Sequence, residues 1–398
     1  MAAALSVAGL LNLETSSRWT CTKQQYTRRI LASFKQEERI GERVWREYGK
    51  AVRKKDLKRA LGILESVQIM EKWREQPSFL DLGQQQEEAE EEEEEDIIIP
   101  SPPQDLRNVL DTCISATDMT LVARTYEFLQ NRGLLPGFGK CKNITAESSR
   151  DVTPAAFLEA TGLDASKLSP KKWGLAGTPS LLLVGSIVVF NILVNNGIDI
   201  RPFLASILAF GVLDAVYLGG TGLAAILVSW PPYKRRVFTH EAGHVLVAYL
   251  LGCPIRGVIL DPVQAMRLGV QGQAGTQFWD ATLEDELRQG RLTNASFDRY
   301  SMVLFAGIAA EALVYGEAEG GENDENLFKA IVSVLSPPWS PSQMSNQARW
   351  AVLQSYKLLR DHRKALDTVV RAFYEGEDFG NVVTDLEFVL SSENATIA

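Results

Sequence analysis

The chain has 398 residues, of which 45% are hydrophobic and 23% charged, a balance that suits a folded protein of two or three domains. Its formal net charge is −9, and the acidic run at 87–96 supplies eight Glu and one Asp, so the remainder has no basic field that would indicate nucleic-acid binding. The four cysteines lack C-x-x-C spacing, which predicts free thiols in a reducing compartment and argues against a disulfide framework or a cysteine zinc site.

The first 35 residues have the composition of an organelle transit peptide (1–35). They are rich in Ser, Thr and Ala and contain five Lys or Arg residues but a single acid, Glu14. An apolar stretch precedes the basic residues, whereas a secretory signal has the reverse order. The Met-Ala start and the hydroxyl content favour a chloroplast over a mitochondrial address. A disordered N-terminus without a targeting role is the alternative.

Residues 36–83 and 105–172 are predicted to be helical regions separated by a linker. The first is highly charged, with apolar residues at roughly helical spacing. The second contains a helical stretch that ends at Gly133 and Pro136, residue types that stop helices. Between the two regions, residues 84–104 combine the acidic run with a proline-containing segment, which is typical of a linker.

Two apolar stretches within 174–230 predict a transmembrane hairpin. Residues 174–194 include no charged side chain and would form a helix of about 32 Å, enough to cross a bilayer. Residues 203–229 include one charge, Asp214, which we expect to cap a kink or contact the neighbouring span, with an ion or proton path as the alternative. Basic residues flank both outer ends, so the positive-inside rule predicts that the two flanks lie on the same side of the membrane. A buried hairpin in a large soluble core is the alternative.

The stretch VFTHEAGHVLVAYLLG predicts a zinc site on a helix. His240 and His244 lie one turn apart, so both imidazoles can reach one ion, and Glu241 lies beside them. In this motif zinc lowers the pKa of its bound water, and the glutamate takes the proton as hydroxide attacks a carbonyl. The alternative is a pair of histidines packed on an ordinary helix.

Two further features of this motif concern its packing and its third ligand. Gly243 costs roughly 1 kcal/mol of helix propensity relative to Ala, so we expect close packing there with no room for a side chain. Two histidines do not complete a zinc site. His362 and several acidic residues are the candidates for the third ligand, and spacing alone does not choose among them.

HEAGHVLVAYLLGCPIRGVIL resembles the peptidase domain of FtsH, the membrane-anchored AAA zinc protease family, and the resemblance covers roughly Pro231–Ser392. GGENDENLFKA is similar to the family segment that carries the third zinc ligand, an Asp. The resemblance therefore implies that Asp324 is the third ligand and that His362 is not. It also implies an activated water on Zn2+, with Glu241 as the catalytic base.

QGQAGTQFWD takes the place of the strand that lines the substrate cleft in this family. We expect the segment Gly272–Phe278 and the strand Ile255–Leu260 to bind a substrate peptide by strand addition, main chain to main chain. The predicted substrate-binding residues are Gly272, Gly275 and Phe278. An ordinary edge strand is the alternative.

The sequence also departs from the family. Gly307-Ile308 stands where the family has Gly-Arg, and Gly-Gly-Glu-Asn precedes Asp324 in place of Gly-Ala-Ser-Asn. No G-x-x-x-x-G-K-[ST] pattern occurs, so the ATPase motor of the family has no counterpart in these residues and no ATP binding is expected. In this the chain resembles the motorless FtsH-like proteins of plant plastids.

These observations predict a mainly α protein with an N-terminal helical region, a two-helix transmembrane hairpin, and a mostly helical H-E-x-x-H zinc-peptidase domain with a small β-sheet at 231–398. The predicted function is an ATP-independent zinc metalloendopeptidase of a chloroplast membrane, thylakoid or inner envelope, with its peptidase domain in the stroma. Its substrates would be membrane proteins or unfolded proteins. One alternative is a catalytically silent subunit that associates with FtsH-type proteases or other membrane complexes. Another is a transporter-like component in which Asp214 acts and zinc is structural.

Overall fold

The structure is a computed structural model, and it describes residues 43–75, 106–142, 151–168, 188, 191–193, 195–197, 199, 201–217, 231–260, 275–333, 335 and 338–397. Several predicted features lie outside these residues: the transit peptide, the linker at 84–104, Gly272, and most of the first apolar span. The Asp214 side chain also lies outside the described part.

The chain divides into two compact units, Met1–Leu106 and Arg107–Ala398. In the first unit, residues 43–53 are helical and are followed after a short turn by helix α1, Leu57–Glu75. The buried residues in the described part of these helical segments are Tyr48, Ala51, Leu57, Ala60, Leu61 and Leu64. The predicted limits of this region, 36–83, remain a prediction.

The second unit is mainly helical and includes one small sheet. Its elements are the 3-10 helix η1 Leu106–Ser115 (from the last residue of the first unit), α2 Met119–Asn131, α3 Pro154–Thr161, the 3-10 helix η2 Ala165–Leu168, α4 Arg201–Tyr217, α5 Pro231–Leu250, β1 Ile255–Ile259, β2 Gly275–Phe278, α6 Ala281–Arg288, α7 Asn294–Leu304, α8 Ala306–Tyr315, α9 Glu322–Ser333, α10 Pro341–Asp361, α11 Arg363–Glu375 and α12 Phe379–Ile397. This composition confirms the prediction of a mainly α chain with a small sheet.

Helix α5 is the central element of the second unit. Residues 242–250 of this helix are all buried, and the helix packs against α8, α11 and both strands. A Cβ on Gly243 would lie 2.6 Å from the Ala306 carbonyl oxygen, which confirms the expectation that this position tolerates no side chain. The chain then leaves the helix through Gly252, whose φ of 74° is a left-handed conformation that glycine adopts without strain.

The residues before the apolar stretches pack into the same unit as the histidine helix. The Tyr126 hydroxyl donates to the Ile255 carbonyl at 3.0 Å, and the Gly139 N–H donates to the Tyr249 carbonyl at 2.9 Å. Glu387 on α12 accepts hydrogen bonds from the Gly137 N–H and the Tyr249 hydroxyl. Residues 107–142 therefore pack against the end of the histidine helix and the strand that follows it. The predicted domain limits remain predictions.

Strands β1 and β2 form a two-stranded antiparallel sheet. Ile255 is paired with Phe278 and Gly257 with Gln277, so Arg256 is an extra residue in β1, a β-bulge. Ile255 and Ile259 are buried in the core, whereas Arg256 is only partly buried. The sheet lies against α5 and brings β2 alongside the histidine motif.

No helix within the described part of the chain is both long and apolar enough to cross a membrane. The predicted hairpin is therefore unsupported by these residues, and the second apolar span continues beyond α4 into residues outside the description. Helix α4 has large apolar side chains that are at least half exposed on all sides: Leu204, Ile207, Leu208, Phe210, Val212, Leu213 and Val216.

Candidate metal centre

His240, His244 and Asp324 meet at one point of the second unit. The two imidazoles project from adjacent turns of α5, with ring centroids 4.8 Å apart, and Asp324 comes from the first turn of α9. Asp324 Oδ2 lies 3.0 Å from His240 Nε2 and 3.5 Å from His244 Nε2. One ligand atom from each of the three residues lies within 4.8 Å of the others.

The second nitrogen of each imidazole is held by an acceptor. His240 Nδ1 donates to the Glu311 carboxylate at 2.8 Å, and His244 Nδ1 donates to the Val303 carbonyl at 2.8 Å. Each Nδ1 therefore carries a proton. The other ring nitrogen of each histidine, Nε2, faces Asp324. Metal-binding histidines have this arrangement, in which an outer acceptor fixes the tautomer and the ring orientation.

Glu311 is a buried carboxylate with four described donors. Besides His240, it accepts the Glu319 N–H at 2.9 Å, the Gly320 N–H at 3.1 Å and Arg236 Nη1 at 3.3 Å. Burial raises the pKa of Glu311, but the hydrogen bond from His240 and the charge of Arg236 outweigh burial and lower the pKa below its usual value. The group is therefore an ionised acceptor at neutral pH.

Two glycines make room for the His240 ring. A Cβ on Gly307 would lie 2.3 Å from His240 Nε2, closer than any real contact. A Cβ on Gly320 would lie 2.7 Å from Glu311 Oε1 and 3.2 Å from His240 Nδ1. Position 307 of α8 therefore has to be a glycine for the ring to occupy this place.

The donor set fits a zinc ion. Two neutral imidazoles and one carboxylate are among the ligand combinations of zinc sites. A tetrahedral ion with ligands at about 2.1 Å separates them by about 3.4 Å, comparable to the 3.0 Å and 3.5 Å between Asp324 and the two histidines. The three residues could thus hold a metal ion without a change of fold.

His240, His244 and Asp324 shift one another's pKa values. Burial lowers the pKa of both histidines, but Asp324 outweighs it, with Glu311 adding to the effect at His240, so the pKa of each imidazole lies above its ordinary value. Burial raises the pKa of Asp324, and the two histidines outweigh that effect and lower it. Since a metal needs neutral imidazoles, protons and metal ions compete for this site.

Glu241 lies beside the histidine pair and is held by β2. Its carboxylate accepts the Thr276 N–H at 2.7 Å and the Thr276 hydroxyl at 2.9 Å. Gly275 adjoins the same carboxylate, since a Cβ there would lie 3.3 Å from Glu241 Oε1. The histidine helix and the strand thus meet at the predicted catalytic base.

A cavity of about 560 Å³ opens beside Glu241, His244 and Asp324. Of the predicted substrate-binding residues, Gly275 and Phe278 line this cavity, whereas Gly272 is outside the described residues. His362, the other candidate for a third ligand, lies at the junction of α10 and α11, where its Nδ1 is 3.0 Å from a Glu393 carboxylate oxygen. It is therefore not part of the group that meets at Asp324.

Sequence reasoning did not single out Glu311, Thr276 or Arg256. Glu311 has a recognisable signal, because it is the one acid in α8, AGIAAEALVY, a helix that is otherwise apolar. Thr276 and Arg256 have no such signal, since their positions depend on the register of a two-stranded sheet.

Part of the chain is similar to FtsH zinc metalloproteases. It is 33% identical over 113 residues to the ATP-dependent zinc metalloprotease FtsH 2 of Symbiobacterium thermophilum, a match that covers 28% of this chain and 18% of that protein. It is 34% identical over 103 residues to FtsH 2 of Sphaerobacter thermophilus, with 26% and 14% covered. It is 30% identical over 101 residues to the chloroplastic FTSH 5 of Arabidopsis thaliana, with 25% and 14% covered.

The chain thus spans less than a fifth of the length of these relatives. Neither a family model nor a solved structure matches the chain. The similarity supports a relation to FtsH over about 100 residues.

Proposed function

We propose that the chain is a zinc metalloendopeptidase in which His240, His244 and Asp324 bind Zn2+ and Glu241 is the general base. The observation that carries the proposal is that His240 Nε2, His244 Nε2 and the Asp324 carboxylate come together. The Glu241 carboxylate lies beside them and lines the same cavity. The partial similarity to zinc metalloproteases supports the same reading.

Each residue of the site has a separate role in the proposed reaction. Bound zinc supplies a Lewis acid and lowers the pKa of water toward about 7. Glu241 receives the proton of the attacking water and passes it to the leaving amine. Thr276 holds the Glu241 carboxylate through its N–H and its hydroxyl, and Glu311 holds the His240 ring. Tyr300 lines the cavity, and burial raises its pKa to about 12, so its phenol remains a hydrogen-bond donor at neutral pH.

The geometry of β2 favours unfolded protein substrates. Among the described residues β2 pairs with β1 alone, and its Thr276 N–H is already bonded to Glu241, so we expect an extended peptide to pair with the remaining main-chain groups of β2. Such pairing uses main-chain groups and tolerates many sequences. Because these 398 residues include no P-loop motif, we expect them to act without ATP on loosely folded proteins or on proteins that a partner such as an FtsH-type protease delivers.

Membrane attachment at a chloroplast thylakoid or inner envelope, with the peptidase in the stroma, completes the proposal. The exposed apolar side chains of α4 favour contact with lipid over contact with water. The composition of residues 1–35 and the chloroplastic relatives favour a plastid.

The test is cleavage of an unfolded substrate, such as a reduced and alkylated protein, by the zinc-loaded full chain. We expect Glu241→Gln to retain zinc and to lose cleavage by a factor of about 10²–10⁴, the usual contribution of a general base. Glu325→Gln, on the same helix as Asp324, should cleave like the wild type. Full activity in Glu241→Gln would contradict the proposed mechanism. An inactive zinc-replete wild type would favour the catalytically silent subunit.

A further inference from the structure

The cavity beside the histidine pair has one arginine and no lysine among its described lining residues. This residue is Arg256, on β1. The lining also includes the carboxylates of Glu241 and Asp324, which the proposed chemistry assigns to proton transfer and to metal binding. Arg256 has no part in that chemistry, so its position requires another explanation.

Backbone geometry brings Arg256 to the cavity. It is the bulged residue between the pairs Ile255–Phe278 and Gly257–Gln277. The neighbouring residues are fixed in the core, since Ile255 is buried and a Cβ on Gly257 would lie 3.0 Å from the Ile114 side chain. A bulge redirects the side chain of its extra residue, and bulges are common next to active sites.

The guanidinium of Arg256 is incompletely satisfied. Its Nη1 donates to Gln277 Oε1 at 3.2 Å, but its Nε is buried without a hydrogen-bond partner. No carboxylate in the described part of the chain forms a salt bridge with it. A buried donor without an acceptor is costly, and the planar fork of arginine matches a carboxylate through two parallel hydrogen bonds.

We propose that Arg256 binds a carboxylate of the substrate peptide and makes the enzyme prefer peptides that present a carboxylate to this cavity. The carboxylate is either an Asp or Glu side chain or the C-terminal carboxylate of the peptide. Because Arg256 and Glu241 line one cavity, a peptide seated there meets both groups. The inference rests on the proposed peptidase function, and it adds a substrate class to binding by strand addition, which by itself does not read side chains.

The experiment measures peptide binding separately from cleavage. Fluorescent peptides of one unstructured sequence are titrated against the zinc-loaded full chain with Glu241→Gln, and binding is followed by anisotropy. The four probes have an internal Asp or Asn, each with a free or an amidated C-terminus. We expect at least one carboxylate to increase affinity by about tenfold, the scale of a charge-assisted hydrogen bond. The Asp pair and the C-terminal pair identify which source Arg256 reads.

Three variants test whether Arg256 causes the preference. Arg256→Gln should bind the acidic and neutral probes equally, and Arg256→Lys should keep a reduced preference, which also shows that the sheet still folds. Arg291→Gln, an exposed arginine outside the cavity lining, should leave the preference unchanged. Equal binding of all four probes by the chain that retains Arg256, or a preference that survives Arg256→Gln, would overturn the inference.

Cleavage of the same probes by the chain with Glu241 separates this inference from the proposed function. Cleavage without any carboxylate preference would leave the peptidase standing and overturn the role of Arg256. Absence of cleavage together with Arg256-dependent binding would overturn the peptidase and leave Arg256 as a carboxylate-binding residue. If no probe binds or is cleaved, both are overturned.

Discussion

His240 and Glu311 are joined by a hydrogen bond of 2.8 Å between the imidazole Nδ1 and the carboxylate. The bond links α5, which carries both histidines, to α8, which packs along it. Glu311 is in turn held by backbone N–H groups of the loop before α9 and by Arg236. The position of the metal ligands therefore depends on a buried network that extends well beyond the H-E-x-x-H motif.

Replacing Glu311 with Gln should weaken zinc binding. The amide can still accept the His240 N–H, but it lacks the charge that orients the ring and increases its basicity as a ligand. Loss of such an outer partner costs about 10–100-fold in metal affinity, which competition with a zinc-binding dye would measure. Glu325→Gln is the matched control, because Glu325 is a partly exposed acid that pairs with Lys329. Unchanged affinity in Glu311→Gln would show that the network has no effect on the metal.

Gly307→Ala should displace His240. The new Cβ would lie 2.3 Å from Nε2, the nitrogen directed at Asp324, so the ring has to move away from the ligand position. We expect zinc affinity to fall at least tenfold, with a loss of stability of about 1–3 kcal/mol from overpacking. Gly211→Ala is the control, since a Cβ at that helical glycine meets nothing within 4 Å. Wild-type zinc affinity in Gly307→Ala would contradict the arrangement of the site.

Thr276→Val should slow cleavage without releasing zinc. Valine keeps the shape of threonine but removes the hydroxyl that donates to Glu241 at 2.9 Å. A hydrogen bond of about 1 kcal/mol corresponds to roughly a fivefold lower kcat. Thr276→Ser, which keeps the hydroxyl, should restore most of the rate. If valine and serine have the same effect, the hydroxyl does not position Glu241.

Glu387 should make the free energy of unfolding depend on pH. Burial raises its pKa, and hydrogen bonds from Tyr249 and Gly137 only partly oppose this effect. The folded state therefore holds the proton more tightly than the unfolded state, whose glutamate titrates near 4.5. Stability from this group is greatest below that pH and is lost as pH rises through the raised pKa.

The comparison of the wild type with Glu387→Gln isolates this contribution. Urea unfolding at several pH values between 4 and 8 should show that the wild type loses stability relative to Glu387→Gln as pH rises. A constant difference, or one of opposite sign, would mean that Glu387 is not the source.

The sequence predicts the histidine helix from local patterns, because the helical spacing of apolar residues, Gly243 and the end at Gly252 all lie within one segment. Asp324 is 84 positions from His240, so its selection required a family resemblance. Glu311 is 71 positions from His240, and its role as an acceptor depends on how α8 packs on α5. Arg256 depends on a bulge between two strands, which no local pattern records.

For the two apolar stretches, the prediction from the sequence goes beyond what the described residues support. Their composition predicts a membrane hairpin, yet the described part of α4 is too short to span a bilayer, and the remaining residues of the hairpin lie largely outside the description. Hydrophobic content alone does not specify where a helix begins and ends. The hairpin therefore stays a proposal to be tested with the full chain.

Anomalous diffraction at the zinc edge, from crystals of the zinc-loaded chain, locates the metal without relying on any activity. We expect one strong peak about 2.0–2.2 Å from His240 Nε2, His244 Nε2 and an Asp324 carboxylate oxygen. A zinc-replete crystal without a peak between these three residues, or with zinc bound at other residues, would contradict the proposed metal centre.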